Sequence, residues 1–218
     1  MIRATLQNGL AEIGMSLSEE QLQSFERFAD ELKKWNKKVN LTSICKDGDI
    51  AIKHIIDSLV LAVCVDDGVC VLDIGSGAGF PAIPLKIIKP QVRVVSVDAV
   101  GKKIMFQRHV ARLLGLDKFE ALHARVESLH ATHAGFFDVI SSRAFSRLDV
   151  FVSLAAPLLK NGGKIIAMKG PEICSEIDSS MNDLHHLGFE IASLQEYSLP
   201  LDKGKRTLVT ITAAKAHK

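Results

Sequence analysis

Two aspartates and a run of three glycines hold the chemistry of this sequence. Asp73 lies near the end of a short apolar run, Val69–Ile74, and is followed by Gly75, Gly77 and Gly79 at G-x-G-x-G spacing. Asp98 ends the next β-branched run, Val92–Val97. A dinucleotide pyrophosphate is ordinarily cradled by G-x-G-x-x-G at a helix N-terminus. The spacing here is tighter, and a carboxylate two residues before the first glycine would repel a diphosphate. It suits a cofactor with an amino group and a positive centre, and S-adenosylmethionine has both. Glycines let the backbone approach the methionyl part and the ribose. An acid at position 98 can accept both hydrogen bonds of a ribose diol. A nicotinamide dehydrogenase is the weakest alternative.

Two later strand ends are expected to line the same crevice. Val126 and Glu127 follow a third run, where a backbone N–H and a carboxylate could hold an adenine; a helix N-terminal carboxylate is the plain alternative for Glu127. Ser141-Ser-Arg143-Ala-Phe145 follows a fourth, where the reacting methyl group is expected, and a surface salt bridge is the plain alternative for Arg143. Phe80 and Phe145 read equally as base-stacking faces or as pocket wall.

The elements that must place these residues alternate. Apolar β-like runs at 69–74, 92–97, 119–122, 136–141 and 164–168 are separated by helical patterns at 81–88, 102–114, 148–159 and 172–187. Such alternation predicts a doubly wound, mostly parallel α/β sheet. The final runs, 189–199 and 207–212, are joined without a helix and predict an antiparallel edge pair. The first 65 residues read as helices: Ser18 to Gln21 forms a capping box, and Ile52, Ile55, Ile56, Leu59 and Val63 mark an inward stripe. The expected organisation is a helical arm over 1–65 and a Rossmann-like sheet domain over 66–218.

Of 218 residues, 47% are hydrophobic and the formal charge is only +2. A disordered chain and a polycationic tail are excluded; a local basic face is not. No run approaches the ~18 apolar residues of a membrane span, so a soluble, cytoplasmic protein is expected. Cys45, Cys64, Cys70 and Cys174 lack zinc-ligand spacing and read as reduced, mostly packed thiols. The histidines form no metal set, and no metal is expected.

The motifs resemble those of the bacterial small-subunit (16S) ribosomal RNA guanine-N7 methyltransferases, the GidB or RsmG family. The matching segments are Lys34-Trp-Asn-Lys37 with Asn40-Leu-Thr-Ser43, His54-Ile-Ile-Asp-Ser58, the loop from Asp73 to Leu85, Asp98 to Lys103, Ser142-Arg-Ala-Phe145, Met168-Lys-Gly170 and Gly204 to Val209. Ser76, Ala78 and Ala99 stand where Thr, Pro and Ser are common in the family. The resemblance implies a class I methyltransferase sheet of seven strands with an antiparallel edge strand. It implies that Gly75, Phe80, Val126, Glu127 and Arg143 contact S-adenosylmethionine, and that the product is N7-methylguanosine in 16S ribosomal RNA. The alternative is a methyltransferase of another RNA or of a small molecule.

Guanine N7 carries a free lone pair, so no general base is needed. The loop directly after the fourth strand agrees: it holds neither Asn-Pro-Pro-Tyr nor Asp-Pro-Pro-Tyr, and no cysteine. Arg143 is expected to orient the guanine or the methionyl part, with Asn40, His54, Arg125 and Lys169 helping to bind substrate. His54, on an apolar helix, reads equally as a hydrogen-bonded packing residue. Three basic clusters are candidates for phosphate contact: Lys33, Lys34, Lys37 and Lys38; Lys102, Lys103, Arg108 and Arg112; and Lys203, Lys205 and Arg206. Each alone reads as a solvated face. The expected partner is 16S RNA or the small subunit, met by a monomer.

Overall fold

The structure is a computed structural model that describes residues 2–143 and 146–214. Helices α1 (Ile2–Glu12) and α2 (Glu19–Asn36) come first. The capping box forms as expected, with Gln21 N donating to Ser18 Oγ and Ser18 N to Gln21 Oε1. A third stretch opens with the single turn α3 (Asp47–Asp49), continues as a π-helix over Ile50–Ile56 and returns to α-helix in α4 (Asp57–Val63). The wider π turn shifts the helical phase. Leu59, Leu61 and Ala62 therefore face inward, and Val63, expected inside, is exposed.

The sheet follows: β1 (Cys70–Ile74), α5 (Ala82–Ile88), β2 (Arg93–Asp98), α6 (Gly101–Leu114), β3 (Phe119–His123), β4 (Phe137–Arg143), α7 (Leu148–Ala155), β5 (Leu159–Lys169), α8 (Ile173–His186), β6 (Phe189–Ser198) and β7 (Lys205–Ala213). The strand order is β3-β2-β1-β4-β5-β7-β6. The first five strands pair in parallel, and β7 runs antiparallel between β5 and β6. The expected antiparallel edge pair is thus present, with β6 at the rim. The order reverses between β1 and β4, the place where open α/β sheets bind ligands. The helical pattern over 148–159 is cut short: α7 ends at Ala155, and Asn161-Gly-Gly163 lies inside β5. A Cβ on Gly163 would come within 2.8 Å of the Asp138 carbonyl.

Period-two alternation divides the core. Val71, Val94, Val139, Ile166 and Leu208 pack with Leu61, Ala62 and Leu85 on one face. Leu72, Val95, Ile140, Ile165 and Val209 pack with Phe151 and Leu184 on the other. A further cluster joins Leu6, Phe25, Phe28, Ile52 and Ile56 to Phe80, Ile83, Phe106 and Val110. The N-terminal helices therefore share a continuous core with α5 and α6. Alternation also sends Asp73, Ser141 and Arg143 toward the face those helices cover.

Candidate active site

After β1 the chain turns through Gly75, Gly77 and Gly79, all at positive φ. At Gly79 the constraint is also steric, since a Cβ would collide with Ile83. The turn is held from behind by a buried polar knot. Ser76 Oγ lies 2.8 Å from Ser96 Oγ, and Gln107 Nε2 donates to Ser76 Oγ and to the Gly77 carbonyl, each at 2.8 Å. Ser96 Oγ donates to Gln107 Oε1. From the front, Gly77 N donates to Asp98 Oδ2 at 2.9 Å, and Val100 N to Asp98 Oδ1 at 2.8 Å. Asp98 thus ties two loops together, and each of its oxygens keeps a further lone pair.

Beside this turn opens a cleft of about 350 Å³ lined by Gly75, Asp98, Lys103, Arg125, Val126 and Glu127, among others. Residues from the tips of β1, β2 and the segment after β3 are thereby brought together. Val126 is buried while Arg125 and Glu127 are exposed along its rim. Asp73 sits deeper, 1% exposed. Ser141 Oγ donates to its Oδ1 at 3.3 Å, but among the described residues Oδ2 has no hydrogen-bond partner. Burial pushes its carboxyl up to about 7, against the pull of Ser141, of the Arg143 charge and of the Ala82 backbone amide. A buried carboxylate oxygen without a donor is costly, and an ammonium group from a ligand would satisfy it. These acceptors therefore fit the ammonium and ribose hydroxyls of S-adenosylmethionine.

Arg143 leaves β4 toward the π-helical segment. Its Nη1 donates to the Lys53 carbonyl at 3.0 Å and to Asp57 Oδ2 at 3.4 Å, and its Nη2 donates to His54 Nδ1 at 3.0 Å. On the far side of Asp57, Tyr197 Oη donates to Oδ1 at 2.8 Å. His54 Nε2 lies 2.9 Å from Thr42 Oγ1. Burial and the Arg143 charge depress the His54 ring to about 3. The ring is therefore neutral, Nδ1 accepts from Arg143 and the proton sits on Nε2 toward Thr42. This arrangement positions Arg143; it leaves His54 no free nitrogen with which to take a proton. A π-helical segment often marks a functional site, and here it carries Lys53 and His54, with Asp57 at the start of the following turn.

The remaining candidates fall in different places. Phe80 is 4% exposed, stacked on His54 at 4.4 Å and tilted against Phe28 at 5.0 Å. Its faces are taken, so base stacking on Phe80 gives way to a packing role. Phe145 lies outside the described residues. Asn40 is exposed, and it is Asn36 that organises its loop, accepting from Leu41 N and Thr42 N. Lys169 is tied to Glu176 at 2.8 Å, yet it lines a second cleft with His54, Asp57, Arg143 and Arg206.

The basic clusters also separate. Lys33 is neutralised by Asp30 and Asp47, and Lys203 pairs with Asp49. Lys37, Lys102 and Lys205 are exposed. Lys103 and Arg125 border the first cleft, whereas Arg108 and Arg112 line a different hollow near Gly115. The thiols are all free, but Cys45 and Cys174 are exposed rather than packed, both lying near turns at helix boundaries. Among the described residues, no helix is long and apolar enough to cross a membrane.

Sequence reading missed Gln107, Ser96, Asp57 and Tyr197. Gln107 falls on the inner face of a predicted amphipathic helix, where a buried amide was the available signal. Asp57 stood inside a motif quoted for resemblance alone, and Tyr197 gave no local signal.

Comparison with known proteins agrees with this geometry. A family model described as GidB, rRNA small subunit methyltransferase G, matches residues 21–208. The ribosomal RNA small subunit methyltransferase G of Geotalea uraniireducens (strain Rf4) is 51% identical over 206 residues, covering 94% of each chain. That of Geobacillus kaustophilus (strain HTA426) is 39% identical over 210 residues, covering 94% of this chain and 88% of that one. Among solved structures, a SAM dependent methyltransferase from Aquifex aeolicus superposes with a TM-score of 0.58 at 17% identity, over 84% of this chain and 97% of that one. TYW2 of M. jannaschii in complex with AdoMet gives 0.60 at 14% identity, over 80% and 77%. These structures show the fold, the sequence relatives the lineage: the chain belongs to the family of ribosomal RNA small subunit methyltransferase G.

Proposed function

We propose that this protein methylates N7 of one guanine in small-subunit 16S ribosomal RNA, using S-adenosylmethionine. The observation that carries the reading is the unpartnered Asp73 oxygen, buried at the tip of β1 behind the glycine turn. Asp73 receives the ammonium group of the methionyl part. Gly75, Gly77 and Gly79 let the backbone close on it, with Phe80 fixing the end of the turn. Asp98 accepts from the ribose hydroxyls through its remaining lone pairs. Val126 and Glu127 hold the adenine.

When bound, S-adenosylmethionine supplies an electrophilic methyl group on a sulfonium. The chain's task is then orientation, because guanine N7 is nucleophilic at neutral pH. Holding reactants in line can supply on the order of 7–11 kcal/mol of barrier reduction. Among the described residues, three of the five N–H donors of Arg143 are used. The other two are left for an oxygen of the substrate or cofactor. A donor placed on N7 itself would block the reaction, so Arg143 reaches O6 or a phosphate. Lys37, Lys102, Lys103, Arg125, Lys205 and Arg206 supply phosphate contacts. In this reading residues 1–65 form an arm that completes the active site of the 66–218 domain. The enzyme works as a cytoplasmic monomer.

The test is incubation with labelled S-adenosylmethionine and small ribosomal subunits or their RNA, followed by nucleoside mapping. The expected product is N7-methylguanosine at a single position. Label in a small molecule, with none in RNA, overturns the proposal.

A further inference from the structure

The second cleft, about 420 Å³, opens between the π-helical segment and the tips of β4, β5 and β7. Among the described residues its wall carries four cations, Lys53, Arg143, Lys169 and Arg206, of which Lys53 is paired with Asp49 and Lys169 with Glu176, and one carboxylate, Asp57. The cations suit a polyanion. The carboxylate does not: at 4% exposure, it would repel a phosphate. As a counter-ion for Arg143 it is also loosely placed, since its contact is 3.4 Å while the Lys53 carbonyl and His54 hold the same guanidinium at 3.0 Å. Tyr197 fixes the carboxylate from behind at 2.8 Å. A buried acid held rigidly in a basic cleft, with acceptor capacity left on both oxygens, is arranged to receive hydrogen-bond donors.

We infer that Asp57 recognises the target guanine by its Watson–Crick edge, accepting from N1–H and the 2-amino group. The inference rests on the methylation reading above and extends it to how the base is chosen. Guanine presents two adjacent donors followed by the O6 acceptor, and a carboxylate beside a guanidinium is the complement of that pattern. Adenine would offer an N1 lone pair to the same carboxylate and be repelled. O6 lies between N1 and N7 on the rim of the purine. With Asp57 on the N1 side and the free N–H groups of Arg143 on O6, N7 remains open. Ser142 Oγ donates to the Ile74 carbonyl, so Arg143 emerges next to the glycine turn, and N7 faces the first cleft. Asp57 thereby rejects the wrong base, while Arg143 positions the right one. The signal was invisible locally because Asp57, Arg143 and Tyr197 come from three distant segments.

The experiment uses ribosomal RNA in which the mapped target guanosine is replaced by inosine, which lacks only the 2-amino group. Wild-type protein is expected to lose about tenfold in kcat/KM on the inosine substrate, the scale of one hydrogen bond to a charged group. Asp57→Asn keeps the shape and an acceptor for Tyr197, and its guanosine-to-inosine ratio is expected to fall to within about twofold of one. Wild-type protein that treats the two RNAs alike overturns the inference, and this outcome needs no variant. So does an Asp57→Asn protein that loses activity equally on both and retains the wild-type ratio, since Asp57 would then serve only Arg143. In either case N7-methylguanosine in the unmodified RNA leaves the methylation reading standing. Absence of label from all RNA removes both.

Discussion

The two clefts are built by opposite means. The first is made mainly of backbone: a glycine turn, the strand tips beside it, and hydrogen bonds linking residues 21 to 31 positions apart, from Gly77 to Asp98 and from Ser76 to Gln107. The second is made of side chains that meet across 86 to 140 positions, from Arg143 to Asp57 and from Tyr197 to Asp57. A backbone cleft suits a ligand that never changes, because its shape follows from one local sequence. A side-chain cleft can be retuned one residue at a time, as a site choosing among RNA bases requires. The two meet at Arg143, which stands beside the glycine turn and points into the second cleft.

The largest effect is therefore expected there. Arg143→Lys keeps the charge but loses the planar fork that serves Lys53, His54 and Asp57 together. Methyl transfer in kcat should fall at least about a hundredfold, the usual cost of a misplaced orienting group. Near-normal turnover would separate the two clefts and remove Arg143 as their link. Circular dichroism and a thermal melt establish that the variant is folded.

Asp73→Asn tests the first cleft alone. Removing the carboxylate should weaken adenosylhomocysteine binding about tenfold near pH 8, as expected for one charged hydrogen bond. Calorimetry should show wild-type affinity rising from about pH 6 to pH 8 as Asp73 ionises, with the variant flat. Stability gives an independent reading. Asp73 is raised from 3.8 to about 7 in the fold, so its contribution is full below the unfolded value and is lost as pH rises through the folded one. His54 is lowered from 6.5 to about 3, so its contribution is full above the unfolded value and is lost as pH falls. The two slopes oppose each other. Without Asp73, the variant should gain on wild type by about 1.4 kcal/mol per pH unit between about pH 4 and 7. Parallel curves would show that Asp73 is not held in its raised state.

Gln107→Leu should act on the same cleft more gently. It strips the Gly77 carbonyl and the Ser76 and Ser96 hydroxyls of a partner. About 1–3 kcal/mol of stability is expected to go with each buried group left unsatisfied. Cofactor affinity should fall only a few fold, with kcat nearly kept, because Asp98 still holds Gly77 N. A variant with normal affinity would mean the turn is rigid without its rear support.

The same contrast governs what could be read in advance. Asp73, the glycine turn and Asp98 announce their roles because one βα unit fixes their geometry, and strand alternation supplies the order in which they meet. Arg143 was legible as a strand-end residue, but its partners were not, since π-helical phase and the docking of the N-terminal helices decide them. Val63 shows the same limit, as an α-helical period puts it inside and the π turn takes it out. Gln107 illustrates another: periodicity says that a position is buried and not which polar groups it meets there.

The smallest expected effect distinguishes two neighbouring lysines. Lys33 lies in the last turn of α2 and Lys37 caps its C-terminus, and composition treats them alike. Lys33 is already paired with Asp30 at 3.1 Å and Asp47 at 2.8 Å, while Lys37 is exposed and makes no ion pair among the described residues. A lysine releases counterions only from a phosphate it actually contacts, so each lost contact lowers the logarithmic salt slope of binding by roughly one. Lys37→Ala should reduce that slope by about one and weaken small-subunit RNA binding uniformly across sequences. Lys33→Ala should leave the slope unchanged and instead lower the melting temperature slightly, because it releases two carboxylates beside α3. Equal slopes for both variants would place the phosphate track elsewhere, along Lys102 and Lys103 at the mouth of the first cleft.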